Sequence, residues 1–106
     1  MQKYPVRASH RAGLDRDRLE ALLTEHFGSA ARDGEKVRSS FGALVALVVW
    51  PDAKELAVEV TMNPKVDTQV AAETVRRYNR FLEAATGFTT KERASRLRKS
   101  AAKGAG

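Results

Sequence analysis

No cysteine occurs anywhere in the chain, which removes disulfides, thiolate nucleophiles and Cys-ligated zinc together. Histidine is nearly absent as well. His10 and His26 are the only two, and neither has the HxH or HxxxH partner that a metal site needs. There is no GxSxG, no P-loop and no GxGxxG, and the glycines stand mostly alone as punctuation between elements. Long apolar runs are lacking too. The longest, residues 43–50, is far too short to cross a bilayer, and the opening Met-Gln-Lys-Tyr-Pro-Val-Arg has no signal-peptide core. These absences predict a cytoplasmic protein without a membrane partner. The acids offer no better route to catalysis. Asp15 and Asp17 fall in the first turn of a predicted helix, where the dipole favours them, and Glu55 and Glu59 share a solvated strand face. No catalytic residue, metal or cofactor is expected, and the chain is not read as an enzyme.

What is present is cation, unevenly placed. The formal net charge is +6 over 106 residues. From residue 88 onward Lys91, Arg93, Arg96, Arg98, Lys99 and Lys103 oppose Glu92 alone, a net +5 that leaves +1 for residues 1–87. A near-neutral body with a basic appendage is the asymmetry of a polyanion binder. With 42% apolar and 30% charged residues the body has the composition of a small globular domain.

Residues 3–8 alternate as a short strand, placed at a sheet edge by Pro5. Ser9 to Gly13 reads as a connector. Asp15 then caps a first helix whose stripe is Leu19, Leu22, Leu23 and Phe27, stopped by Gly28. Three strands follow. Lys36–Phe41 alternates, 43–50 is apolar on both faces and so lies centrally, and 55–62 sets Leu56, Val58, Val60 and Met62 inward. Pro51 to Lys54 is the turn between the last two. A second helix, capped by Asp67 or Thr68 and stopped by Gly87, carries a predicted stripe of Ala71, Val75, Tyr78, Leu82 and Ala85, flanked by Val70, Thr74 and Phe81. Thr89-Thr90-Lys91-Glu92 is a capping box that starts a third helix towards Lys103. The expected fold is α+β in the order β-α-β-β-β-α-α, a small antiparallel sheet with helices packed on one face. Residues 1–88 form its compact domain and 89–106 a basic C-terminal helix with a frayed tail.

The third helix has only Ala94, Leu97, Ala101 and Ala102 as apolar content, too thin a stripe to hold it by packing alone. Its cations surround most of its circumference, so an anionic partner relieves their mutual repulsion. A membrane would require aromatic or leucine-rich contact that Leu97 alone does not supply. On the second helix Arg76, Arg77 and Arg80 are spaced three and four apart, with Glu73 set to pair with Arg77 and Glu83 with Arg80 or Arg76. A solvated, salt-bridged face accounts for these arginines unless that face continues into the third helix.

The order α-β-β-β-α over residues 15–86 is shared with double-stranded-RNA-binding domains. Their second helix opens on a Lys-rich phosphate clamp, whereas here Val66 to Ala72 contain no lysine, so no activity is carried over. The run Tyr78-Asn79, Phe81-Leu82-Glu83, Thr86-Gly87-Phe88-Thr89 and Lys91-Glu92-Arg93, within residues 76–99, resembles a family of short archaeal proteins of unknown function. That resemblance implies an archaeal cytosolic protein and transfers no functional residue.

The expected function is binding of DNA or structured RNA through phosphate contacts from Lys91, Arg93, Arg96, Arg98, Lys99 and Lys103, with help from Arg76, Arg77 and Arg80. Exposed aromatics are too few for single-strand stacking. The alternative is a protein-interaction or homo-oligomerisation module, a homodimer through the doubly apolar strand being its simplest form.

Overall fold

The computed structural model describes residues 2–11, 14–52 and 55–95. Strand β1 (Gln2–Pro5) lies at one edge of the sheet, the place where a residue without an amide hydrogen is tolerated. A single helical turn, α1 (Ala8–Arg11), follows where the sequence predicts only a connector. Asp15 caps α2 (Arg16–Phe27) by accepting from the Arg18 amide at 2.8 Å, and Gly28 closes the helix in the left-handed region.

Four strands succeed α2, not three. They are β2 (Ala31–Asp33), β3 (Lys36–Phe41), β4 (Leu44–Asp52) and β5 (Glu55–Met62). The sheet is antiparallel in the order β1-β5-β4-β3-β2, so the strand that is apolar on both faces occupies its centre as expected. The fourth strand also separates this fold from the α-β-β-β-α order of double-stranded-RNA-binding domains. Strand β2 pairs with β3 through a turn at Gly34, and Arg32 ties it to Asp17 and Glu20 of α2.

The register sets Val37, Val49 and Val58 side by side on one face, with Tyr4 beside Leu56. Over that face close Leu19, Leu22, Leu23 and Phe27 of α2 and Phe81, Leu82 and Ala85 of α3 (Thr68–Thr86). The fold is thus two-layered, helices on one face of the sheet. Between Leu44 and Ala46 β4 carries one more residue than β5, a bulge that turns Val45 outward.

Helix α3 is seated differently from its predicted stripe. Thr74, Phe81, Leu82, Ala85 and Thr86 are buried, whereas Val75 is 47% exposed. Two contacts fix this rotation. Phe81 packs on the rings of Phe27 and His26, and Thr74 Oγ1 accepts from the Ala43 amide at 3.1 Å while donating to the Val70 carbonyl at 2.7 Å. A Cβ on Gly42 would come within 2.6 Å of that hydroxyl, so the hairpin at residue 42 needs glycine for space as well as for its positive φ. Val60 and Met62 lie on the inward side of β5 but are 40% and 43% exposed.

Leu22→Ala and Leu82→Ala should each cost about 2–5 kcal/mol in chemical denaturation, the range for truncating a buried leucine. Val75→Ala, despite its place in the predicted stripe, should cost less than about 1 kcal/mol because its side chain is already largely in water. Equal losses at Val75 and Leu82 would show that α3 is seated as the stripe predicts.

Candidate functional site

The cationic C-terminal segment is attached through a short, heavily bonded junction. Asp67 caps α3 from its other end, accepting from the Gln69 and Val70 amides, and Gly87 closes the helix at φ 80°. A side chain at Gly87 would press on His10, 2.7 Å from the added carbon. Beyond the turn the expected capping box forms. The Glu92 amide donates to Thr89 Oγ1 at 3.2 Å and the Thr89 amide to Glu92 Oε1 at 3.1 Å. Helix α4 starts at residue 90 and is described as far as 95.

Arg93 does not face solvent. It is 3% exposed, and its guanidinium donates to the Phe88 carbonyl at 2.7 Å, to Asn79 Oδ1 at 3.2 Å and to Thr90 Oγ1 at 3.1 Å. Burial lowers its pKa, opposed by Tyr4, Tyr78 and Glu83. Arg93 was expected among the phosphate-gripping cations; it instead holds α4 against α3. A buried guanidinium satisfied by neutral acceptors is a structural group, and its planar fork suits three acceptors at once.

Arg7 completes the junction, although nothing in the sequence pattern singles it out. Its Nε donates to the Gly87 carbonyl at 3.1 Å, its Nη2 meets Glu92 Oε2 at 3.0 Å, and its guanidinium stacks over the Phe88 ring at 4.6 Å. The Thr89 amide, and Arg7 after it, hold the Glu92 carboxyl below its ordinary range. Beneath Arg93, burial and a hydrogen bond with Tyr4 push the Tyr78 hydroxyl well up.

On the outer side of α3, Glu73 takes both neighbours, Arg76 Nη1 at 2.7 Å and Arg77 Nε at 2.9 Å. The Arg77 hydrogen bond and the charges of Arg76, Arg77 and Arg80 depress the Glu73 carboxyl. Arg77 is withdrawn further. It donates to the His26 carbonyl at 3.0 Å and lies 4.6 Å over Phe41, so it knits α3 to α2 and β3. The pairing expected of Glu83 with Arg80 or Arg76 does not form. Arg80 and Lys91 are exposed and make no ion pair among the described residues. Arg96, Arg98, Lys99 and Lys103 lie outside the described residues.

The cations expected together thus divide into three sets. Arg93 and Arg77 are spent on internal contacts, Arg76 shares Glu73, and Arg80 and Lys91 are free to meet an anion. Asn79, the acceptor for Arg93, stands next to Arg80 and three residues after Arg76. The first turn of α4 is therefore pinned to α3 at Asn79.

A family described as a domain of unknown function, DUF5611, matches residues 1–99. The chain belongs to this family. The match includes the junction and most of the basic segment, and it bears out the resemblance carried by residues 76–99. A solved structure with the same architecture is the NMR solution structure of hypothetical protein TA0095 from Thermoplasma acidophilum. Its sequence is 25% identical, the likeness covers 92% of this chain and 97% of that one, and the TM-score is 0.68. No curated protein matches. No described helix is long and apolar enough to cross a membrane.

Arg93→Gln should lose roughly 2–3 kcal/mol, since it leaves buried acceptors without a charged donor. Lys91→Gln should stay within about 0.5 kcal/mol of wild type, as exposed substitutions do. A silent Arg93→Gln in a denaturant titration would remove Arg93 from this structural role. The junction also has a pH signature. A carboxyl depressed in the folded state stabilises above its unfolded pKa, and that contribution is lost as pH falls through the folded value. Glu92→Gln should therefore melt below wild type at neutral pH, the gap closing below about pH 4. A gap that persists in acid would assign the difference to something other than the Glu92 charge.

Proposed function

We propose that the protein binds nucleic acid, DNA or structured RNA, through phosphate contacts from its cationic C-terminal segment, with Arg80 and Arg76 of α3 extending the same surface. The observation that carries the reading is the seating of α4. Arg93 bonds Asn79 and so ties the first turn of α4, which carries exposed Lys91, to α3, which carries exposed Arg80. The chain carries most of its excess charge in the sequence from residue 88 onward. The only acid of the basic segment, Glu92, is already occupied by the Thr89 amide and Arg7 and supplies no counter-charge to the rest. Neutralising phosphates releases condensed counterions, which gives affinity without reading bases. Nothing in the described residues resembles a base-reading helix with a row of exposed amides and arginines, so backbone recognition of a duplex or a structured RNA fits better than sequence-specific recognition.

Four to six phosphate contacts predict that log affinity for a duplex falls with log salt with a slope of roughly −4 to −5. Arg96→Gln, Arg98→Gln and Lys99→Gln together should flatten that slope by about two to three. Arg80→Gln with Lys91→Gln should flatten it by about one to two, while Arg93→Gln should lower thermal stability and leave the slope of the folded protein near wild type. The reading fails if wild-type protein binds neither DNA nor RNA in low salt. It fails equally if the triple substitution leaves the slope unchanged.

A further inference from the structure

The helices cover one face of the sheet; the opposite face carries a charge pattern of its own. Along the outer side of β4 run Ala46, Val48 and Trp50, joined by Ala57 of β5, which is fully buried between Trp50 and Lys3 of its neighbouring strands. Lys36 rests over the Trp50 ring at 4.3 Å. On either side of this apolar centre the signs alternate by strand. Arg38 of β3 and Glu59 of β5 flank Val48 directly. One strand further out, Asp33 of β2 stands beside Lys36, and Lys3 of β1 beside Ala57. From β4 outward the order is cation then acid on one side, and acid then cation on the other.

That pattern is antisymmetric about β4, which is the property a two-fold axis along β4 requires. Two sheets stacked face to face about such an axis bring β3 of each copy over β5 of the other, and β2 over β1. Arg38 then meets Glu59 of the second copy and Asp33 meets Lys3 of the second copy, while Val48, Trp50 and Asp52 meet their own counterparts along the axis, the Asp52 charge being offset by Lys3. We propose that this face is the interface of a homodimer, a second copy of the chain being its partner. Lys3 already pairs with Asp52 at 2.8 Å and Arg38 loosely with Asp33 at 3.9 Å. Glu59 is exposed and makes no ion pair among the described residues, so the Arg38–Glu59 pair is the decisive one.

A polyanion is a poor occupant for the same face. Among the described residues its three cations, Lys3, Lys36 and Arg38, are outnumbered by Asp33, Asp52, Glu55 and Glu59. The five strands hold 4, 3, 6, 9 and 8 residues. At about 3.3 Å per residue and about 4.8 Å between strands they offer roughly 450–500 Å² per copy, below the standard interface size and appropriate to a weak dimer. The inference stands apart from the nucleic-acid reading, since Arg76 and Arg80 belong to α3, which packs on the other side of the sheet.

Sedimentation equilibrium of the full chain, from about 10 μM to about 1 mM, covers the range such an interface populates. Wild type should pass from monomer to dimer with no larger species. Arg38→Glu and Glu59→Arg should each weaken the dimer about tenfold or more, because each sets two like-charge pairs across the axis. The double reversal restores opposite charges and should return the dissociation constant to within about threefold of wild type. Both positions are exposed, so thermal melts of the three variants check that folding is intact. Trp50 should become shielded from an aqueous quencher as concentration rises. The proposal is overturned if wild type stays monomeric at the highest concentration, or if the single reversals leave association unchanged. Failure of the double reversal to recover overturns it too, as does a dimer dispersed by Val75→Glu but by neither reversal, which would move the contact to the exposed apolar side chain of Val75 on α3.

Discussion

The burial of the Arg93 guanidinium is the constraint on which the C-terminal third of the structure depends. A charge removed from water must be matched by well-placed acceptors, or the cost exceeds any gain. Here they come from three sources: the Phe88 carbonyl in the turn, the Asn79 amide oxygen in α3 and the Thr90 hydroxyl in α4 itself. Because these acceptors belong to consecutive pieces of chain, satisfying one side chain fixes how the α3–α4 turn is folded. The turn is fixed a second time from outside, where Arg7 bonds the Gly87 carbonyl, stacks on Phe88 and pairs with Glu92. Lysine at 93 has three donors radiating from one point and lacks the planar fork that reaches separate acceptors. The junction therefore depends on arginine and not merely on charge.

Much of the fold was legible because its determinants are local. Asp15, Gly28, Asp67, Gly87 and the Thr89–Glu92 box each act within four residues, and all cap or close helices as the sequence predicts. The same locality explains the misses. Strand β2 is Ala-Arg-Asp, three exposed residues without alternation, and exists because β3 pairs with it and Arg32 reaches Asp17 and Glu20 across the fold. The rotation of α3 away from Val75 comes from Thr74 meeting the Ala43 amide, a contact of polar groups 31 residues apart that no apolar pattern encodes.

For the candidate site the limit lay in reading charge as surface. Every arginine from 76 to 93 looks alike in a charge count, yet Arg93 and Arg77 end against carbonyls and aromatic rings while Arg80 stays in water. One signal was available. The capping box fixes where α4 begins and so fixes its phase, and Arg93 is the first residue whose amide bonds back into the helix, to the Thr89 carbonyl at 2.9 Å. A phase fixed so close to the aromatic pair Tyr4 and Tyr78 leaves one side of the first turn facing the body, and Arg93 is on that side.

Helix electrostatics separates the cations that local structure explains from those it does not. Positive side chains towards a helix C-terminus are favoured by the dipole, so cations late in a helix need no partner to account for them. That argument does not extend to Lys91 in the first turn of α4, where the dipole opposes a cation, nor to Arg80 in the middle of α3. Arg76 and Arg77 have Glu73, Arg93 has its buried acceptors, and Glu92 is consumed by the cap and by Arg7. Lys91 and Arg80 are left exposed and make no ion pair among the described residues. Among the described residues they are the arginine and lysine of α3 and α4 for which neither a buried acceptor, an ion pair nor the helix dipole accounts.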